Sequence, residues 1–429
     1  MKQPLFALVD CNNFFVSCER LFRPELNTTP VVVLSSNDGC AISRSNEAKA
    51  LGIPMGAPAF KYRQLFQDNG VVSFSANFEL YGDISRRLTQ ILTSVTPRIE
   101  VYSVDECFLD LSRLAIKDHL EWGRNLRARI LKELGIPVSI GIAGSKTLSK
   151  IATEIGKQEL HRGGVCDLYH MSIKDRRDTI AKVKVRNIWG IGRRLAPQLQ
   201  AEGITNAAEM AGLRPARARQ LMGVHGEQMV YELNGTSCIP LERQHKLQKM
   251  ISRGRTFGED TNQPHVVEAA LASFATQSAF RLRQSGQLTK RLQVWLSTDR
   301  HKPGHRQWSR EVLFGTPTAD TGQLITSAVQ AFAEIYDKSA AYHRASVTLF
   351  DFSPAGQLQT DLLGEVDPTL HGQKTERLRA VDGLNKRYGK NTVHYAAQDL
   401  ADAWEPRKML RSPRYTTNWD ELPLIRPFK

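Results

Sequence analysis

No stretch of the chain approaches the roughly 20 consecutive apolar residues of a membrane span, and the opening Met1-Lys2-Gln3-Pro4 lacks the apolar core of a signal peptide. The expectation is a protein with no membrane partner, working in the cytoplasm. The six cysteines (Cys11, Cys18, Cys40, Cys107, Cys166, Cys238) are scattered and form no Cys-x-x-Cys pair, which argues against a zinc ribbon or a redox dithiol and leaves reduced thiols, mostly buried. Acidic residues are short relative to basic ones, 44 against 58, so the net charge is +14. That excess excludes an acidic solvating protein and favours a polyanionic partner, nucleic acid first, although ribosome-associated and membrane-surface proteins share it.

What is present is enough for a multidomain enzyme. The 429 residues, 41% hydrophobic, allow about three domains with real cores. Leu5-Phe6-Ala7-Leu8-Val9 reads as a buried strand ending at Asp10. Residues 30–34 form a second strand, followed by an Asn37-Asp38-Gly39 turn and a third short run at Cys40-Ala41-Ile42. A short helical stretch lies between Asn46 and Gly52. Leu80, Ile84, Leu88, Ile91 and Leu92 predict a helix over 78–96 that stops at Pro97. A hairpin with arms 99–104 and 107–111 leaves Asp105-Glu106 between them, and a helix at 122–134 with a strand at 138–143 completes a mixed sheet backed by helices on one face. From 172 to 235 the chain turns helical, basic and glycine-punctuated. Strands at 292–296 and 345–349 then alternate with helices at 267–284 and 321–336, and the last ~75 residues show little periodicity and read as partly disordered.

The carboxylates carry the chemistry. Phosphoryl and nucleotidyl transfer loads negative charge onto attacking, transferred and leaving oxygens at once, and two Mg2+ ions held by hard oxygen ligands offset it. A strand-end Asp10 facing Asp105-Glu106 supplies such ligands. Adjacent strand residues point to opposite faces, so joint use of Asp105 and Glu106 requires a local distortion. In this reading Asp10 and Asp105 bridge both ions, while Glu106 reaches only the one that activates a primer 3′-hydroxyl. The bland alternative for an Asp-Glu pair is a solvated turn.

The run Asp10-Cys11-Asn12-Asn13-Phe14-Phe15-Val16-Ser17-Cys18-Glu19, with Ser103-Val104-Asp105-Glu106-Cys107-Phe108-Leu109-Asp110 about ninety residues on, resembles the Y-family translesion DNA polymerases. Phe22-Arg23-Pro24, Gly39-Cys40, Glu47-Ala48-Lys49-Ala50-Leu51-Gly52 and Tyr81-Gly82 extend the likeness to their UmuC branch, the catalytic subunit of DNA polymerase V. The resemblance implies an α+β multidomain right hand. Its parts would be a ferredoxin-like palm (1–10 and 77–165), small fingers (11–76), a helical thumb (166–238), an α/β little finger (243–353) and a C-terminal tail (354–429). It also implies the Cys11 backbone carbonyl as a further metal ligand, and primer-template DNA and dNTP as partners. A processed UmuD-like dimer, a RecA filament and the sliding clamp would be others, with SOS mutagenesis as the setting and the nucleoid as the place.

On the nucleotide side, Phe15 takes the family's steric-gate position, where a flat apolar ring excludes a ribose 2′-hydroxyl by volume. Its neighbour Phe14 belongs to the same stretch, with core packing as the plainer reading. Ser43, Asn46, Lys49 and Lys157 fall where the family holds triphosphate. Asn46 replaces a usual aromatic and Lys49 a usual arginine, which removes bidentate phosphate binding at that position. Ile188-Trp189-Gly190-Ile191-Gly192-Arg193-Arg194 looks like a helix-hairpin-helix, in which Gly190 and Gly192 open backbone N–H groups to a DNA phosphate and Arg193 and Arg194 add charge. Arg253, Arg255, Lys290 and Arg291 are further DNA-contact candidates on or between strands. Gln359, Leu362 and Leu363 fit a clamp-docking peptide with two apolar anchors. A palm-type nucleotidyl cyclase and a non-catalytic DNA-binding subunit are the rival readings. Magnesium-dependent primer extension separates both from a polymerase.

Overall fold

The computed structural model describes residues 4–242, 247–356, 368–398 and 404–422. The chain divides into two compact units, one of Met1–Ser35, Gly39–His245 and Leu410–Lys429, the other of Ser36–Asp38 and Lys246–Met409.

In the first unit, strand β1 (Phe6–Cys11) leads into helix α1 (Phe14–Arg20), then β2 (Val31–Leu34), β3 (Ala41–Arg44), α2 (Asn46–Ala50), α3 (Ala59–Asp68) and β4 (Val72–Ser75). These make a small sheet of order β3-β2-β4 inserted after β1. The main sheet resumes through α4 (Phe78–Val95), β5 (Ile99–Val101), β6 (Glu106–Asp110), α5 (His119–Leu134) and β7 (Val138–Ala143). Then come α6 (Lys146–Gln158) and β8 (Val165–Asp167). Its order is β5-β6-β1-β7-β8, antiparallel except for the β7–β8 pair. Stripped of the insertion and of β8, the path β1-α4-β5-β6-α5-β7 is the ferredoxin-like palm arrangement that the resemblance implies.

Side-chain alternation sorts the two faces of this sheet. Ala7, Val9, Cys107, Leu109, Val138, Ile140 and Ile142 share one core with Leu80, Ile84 and Leu88 of α4 and Leu126 and Ile130 of α5. The opposite face is covered too, which corrects the expectation of helices on one side only. Helix α6 lies against it, with Ser149 Oγ donating to the Phe6 carbonyl at 3.2 Å and Thr153 Oγ1 to that of Leu8 at 3.4 Å. Gly141 makes the approach possible, because a Cβ there would collide with the Ser149 carbonyl and the Thr153 amide. Caps fix the helix starts: Asp118 accepts from the amides of Leu120 and Glu121, and Ser145 from that of Leu148.

Five short helices follow, α7 (Ile173–Ile180), α8 (Leu195–Ala201), α9 (Ala207–Ala211), α10 (Pro215–Met222) and α11 (Val224–Leu233), around a core that includes Ile188, Ile191, Leu199 and Val230. The second unit holds β9 (Met250–Thr261), α12 (Pro264–Gln284), β10 (Gln287–Ser297), β11 (Gln307–Thr318), α13 (Thr321–Ile335) and β12 (Tyr342–Pro354). Its sheet has the order β11-β10-β12-β9 and is antiparallel throughout. Leu292, Val294 and Leu296 face the helices, as their alternation with Arg291, Gln293 and Trp295 requires.

The C-terminal stretch departs from expectation. Residues Pro368–Tyr388 form α14, and Trp404 packs edge-on against Phe274 of α12 at 5.2 Å in the second unit. Leu410 to Leu422 belong to the first unit. A weak apolar period hid this helix, whose stripe is interrupted by Lys374, Arg377, Lys386 and Arg387. Among the described residues no helix is long and apolar enough to cross a membrane.

Candidate active site

Strand register brings the acids together. Asp10, next to last in β1, pairs directly with Glu106, the first residue of β6. The Cys11 amide donates to the Asp105 carbonyl at 2.9 Å, so all three carboxylates leave one end of the sheet. The expected distortion lies at Ser103, whose hydroxyl donates to Asp105 Oδ1 at 2.6 Å and accepts from the Glu106 amide at 3.0 Å. This serine turn carries Asp105 off the strand, so that it and Glu106 are no longer forced to opposite faces.

Each acid is held separately. Lys157 Nζ lies 2.7 Å from Asp10 and Lys150 Nζ 2.7 Å from Glu106. Burial pushes the Asp10 carboxyl up to about 6, Lys157 pulls it back, and the charges of Glu106 and Asp105 push it further. Mutually repelling, partly buried carboxylates whose ordinary partners are ammonium groups form a donor set that fits hard divalent cations. The tighter groups of possible metal-ligand atoms among the described residues are others, His119–Asp167–His170 and Asp260–Asp299–His343. The first lies toward the far end of the main sheet, where Asp167 pairs with Ile142, and its carboxylate accepts from the amides of Tyr169 and His170 and contacts the His170 ring. That is a turn closed by an aspartate. In the second, Asp260 is paired with Lys302 and His343.

Glu106 sits in an aromatic frame that sequence reading missed. Lys150 Nζ lies 4.5 Å over the Tyr102 ring, and the Trp189 indole donates to the Tyr102 hydroxyl at 3.0 Å. Trp189 thus joins the Gly190 hairpin to the acids. The available signal was the spacing of Lys150 and Lys157 by seven residues, one helical stripe on a largely buried α6.

On the nucleotide side, Phe15 is half-buried and stacks on Tyr81 at 4.6 Å and 17°, with Phe78 edge-on at 5.8 Å. Phe14 is 3% exposed and belongs to the core, in line with the plainer of its two readings. Ser43 is likewise buried, at 7%, on β3, and offers little surface to a triphosphate. Asn46 and Lys49 meet at Asn13, another residue the sequence reading missed. Lys49 donates to Asn13 Oδ1 at 2.6 Å, and Asn13 donates to Asn46 Oδ1 at 3.0 Å. Asn13 adopts φ 49°, a conformation asparagine tolerates better than most residues. Burial and then the charges of Arg44 and Lys157 lower the Lys49 ammonium's pKa, while Glu154 and Asp10 raise it.

The DNA-contact candidates do not form one set. Gly190 takes φ 91° and opens the hairpin before α8, while Arg193 and Arg194 are exposed. In the second unit, Arg291 aligns with Phe350 and Leu313 on the open face of the sheet and is paired with Glu311 at 3.0 Å. Arg253 and Arg255 align with Val347 and Ala345, so they point to the helix-covered face. Lys290 lies in the irregularity between Thr289 and Arg291. Arg344, exposed on the open face and 5.8 Å over Trp295, was not anticipated. Gln359, Leu362 and Leu363 lie outside the described residues.

Comparison with known proteins adds independent findings. Residues 9–154 match the impB/mucB/samB family, residues 248–362 match that family's C-terminal domain, and residues 378–425 match a domain of unknown function. Protein UmuC of Salmonella typhimurium is 36% identical over 97% of this chain and 99% of its own length. Protein SamB of the same species is 37% identical over 98% and 99%. Among solved structures, a Y-family DNA polymerase chimera of Dbh and Dpo4 superposes with a TM-score of 0.65 at 21% identity, covering 81% of this chain and 98% of that one, a likeness of fold.

Proposed function

The chain belongs to the impB/mucB/samB family, in the UmuC branch of the Y-family DNA polymerases, and from that premise we propose that it is an error-prone translesion DNA polymerase of the SOS response, with Asp10, Asp105 and Glu106 as ligands of two Mg2+ ions. The observation that carries the site is the register of Asp10 against Glu106, with the Cys11 amide on the Asp105 carbonyl. The main sheet serves as palm (1–10 and 77–165), the inserted small sheet as fingers (11–76), the helical region as thumb (166–238) and the second sheet as little finger (243–353). Lys49 and Lys157 hold the triphosphate as point charges, with Asn13 and Asn46 orienting Lys49. Phe15 lies under the deoxyribose.

When bound, divalent ions at the three acids supply Lewis-acid stabilisation of the attacking oxygen and the departing pyrophosphate. The chain's own residues do the rest. Lys157 pairs with Asp10 and Lys150 with Glu106, and with divalent cations held by the acids Lys157 would be available to a phosphate. The Gly190 hairpin with Arg193 and Arg194 holds the DNA backbone without reading sequence. A processed UmuD-like dimer, a RecA filament and the sliding clamp are partners on the strength of the family, and the nucleoid is the place of work.

The test is extension of a primer across an abasic site by purified chain with Mg2+, with and without a UmuD-like dimer. Incorporation should require Mg2+, and Asp105→Ala should lower it by at least about a hundredfold. Synthesis that survives neutralisation of Asp105 would sink the assignment.

A further inference from the structure

The C-terminal segment touches the nucleotide-selecting side of the site through a buried chain of hydrogen bonds. Glu19 is fully buried on α1, one turn beyond Phe15. Its Oε1 accepts from the Tyr81 hydroxyl at 2.6 Å and from the Ser412 hydroxyl at 3.1 Å. Tyr81, 1% exposed on α4, turns its ring onto Phe15. Phe15 and Glu19 therefore share one face of α1 and are both gripped by one tyrosine, by its ring and by its hydroxyl.

Ser412 is fixed from a second direction. Asn77, the fully buried cap of α4, donates through Nδ2 to the Ser412 carbonyl at 3.1 Å, the Ser412 hydroxyl at 3.0 Å and the Pro413 carbonyl at 3.1 Å. The flanks are pinned as well. The Ser75 amide donates to the Leu410 carbonyl at 3.0 Å, Arg411 pairs with Glu79 at 2.6 Å, and Tyr415 stacks on Phe22 at 4.3 Å and 12°. A residue more than 300 positions away in sequence thus supplies the second hydrogen bond to the carboxylate oxygen that anchors Tyr81.

We propose that Ser412 is a positioning residue for sugar selection: the segment Leu410–Tyr415, within the domain of unknown function, sets the height of the Phe15 ring through Glu19 and Tyr81. The inference rests on the reading of Phe15 as steric gate. A gate works by volume, and a shift of a fraction of an ångström changes how fully the ring meets a 2′-hydroxyl. Losing the Ser412 donor leaves Glu19 with Tyr81 alone, so the tyrosine hydroxyl and the ring it carries move toward the carboxylate's new optimum.

The test uses the full chain and reads the ratio of deoxynucleotide to ribonucleotide incorporation efficiency on an undamaged primer-template. Ser412→Ala should lower that ratio by about tenfold, and Ser412→Thr, which keeps the hydroxyl, should restore most of it. In a Tyr81→Phe background, which keeps the ring but cuts the link, Ser412→Ala should have no further effect on the ratio. A merely structural role would lower overall activity and leave this coupling absent. Phe15→Ala separates the two readings. If it abolishes discrimination while Ser412→Ala leaves the ratio unchanged, or if Ser412→Ala acts equally in the Tyr81→Phe background, the positioning role is overturned and the gate stands. If Phe15→Ala itself leaves discrimination intact, the gate reading fails and the inference fails with it.

Discussion

In the proposed coupling, a single buried acid, Glu19, connects stability with nucleotide choice. Burial raises its pKa above the ordinary 4.5, while the Tyr81 and Ser412 hydroxyls and the Arg23 charge pull it down, and its Oε2 has no hydrogen-bond partner. A folded-state value above the unfolded one means that the native chain binds the proton more tightly. The stabilising contribution is then fully present below the ordinary carboxylate value and is lost as pH rises through the raised one. Glu19→Gln, which keeps the acceptor for Tyr81 and Ser412 and removes the charge, should therefore melt above the parent at neutral pH. The gap should close as pH falls toward 4.5. Melting curves across that window check it, and a gap that widens on acidification would reverse the sign argued here. Residues of this kind were invisible in the sequence, because a Glu one turn after a Phe is ordinary on any helix. That Asp10 would face Glu106 was legible because strand ends and a hairpin turn are local signals. Asn13, Tyr102 and Trp189 were not, because their roles come from partners up to 87 positions away.

At the scale of elements, α6 is the piece on which the site depends, since it carries both Lys150 and Lys157 and bonds directly to the backbone of β1. Its approach is set by Gly141 on β7, where the Ser149 carbonyl and the Thr153 amide occupy the space of a Cβ. Backbone atoms in a packed helix cannot swing aside as a flexible side chain would. Gly141→Ala should therefore push α6 outward and cost about 3 kcal/mol, read as a lower urea midpoint with an unchanged slope. Polymerisation should fall along with it, because both lysines move away from the acids they serve. An unchanged midpoint would show that the helix adapts at no cost. Most elements here were legible: β1, α4, β7, α12 and α13 announce themselves by periodicity. Covering of both sheet faces was not, because α6 hides one side of the sheet with small and hydroxylated residues, Ser149, Ala152, Thr153 and Gly156, rather than with a hydrophobic run. Helix α14 escaped because charges break its apolar stripe.

For the whole molecule, the charge of +14 becomes useful only where cations are exposed and unpaired. Pairing already engages many of them: Arg291 with Glu311, Arg306 with Asp337, Arg310 with Glu334, Arg217 with Glu202. Such surface pairs exchange one partner for another when DNA arrives, and so contribute little net affinity. Arg193 and Arg194, exposed beside the Gly190 turn and absent from the ion pairs found among the described residues, are different, because a phosphate binding there would displace no carboxylate partner. Each phosphate neutralised releases condensed counterions, which steepens the fall of affinity with salt. The double variant Arg193→Ala/Arg194→Ala should therefore weaken primer-template binding uniformly across sequences and reduce the slope of log affinity against log salt by about 2. Arg291→Ala, which removes a cation already engaged by Glu311, should change that slope by less than about 1. Fluorescence anisotropy with a labelled primer-template at several salt concentrations measures both. Equal slopes for the hairpin variant and the parent would mean that these two arginines face solvent in the complex, and that the positive charge of the chain is spent elsewhere.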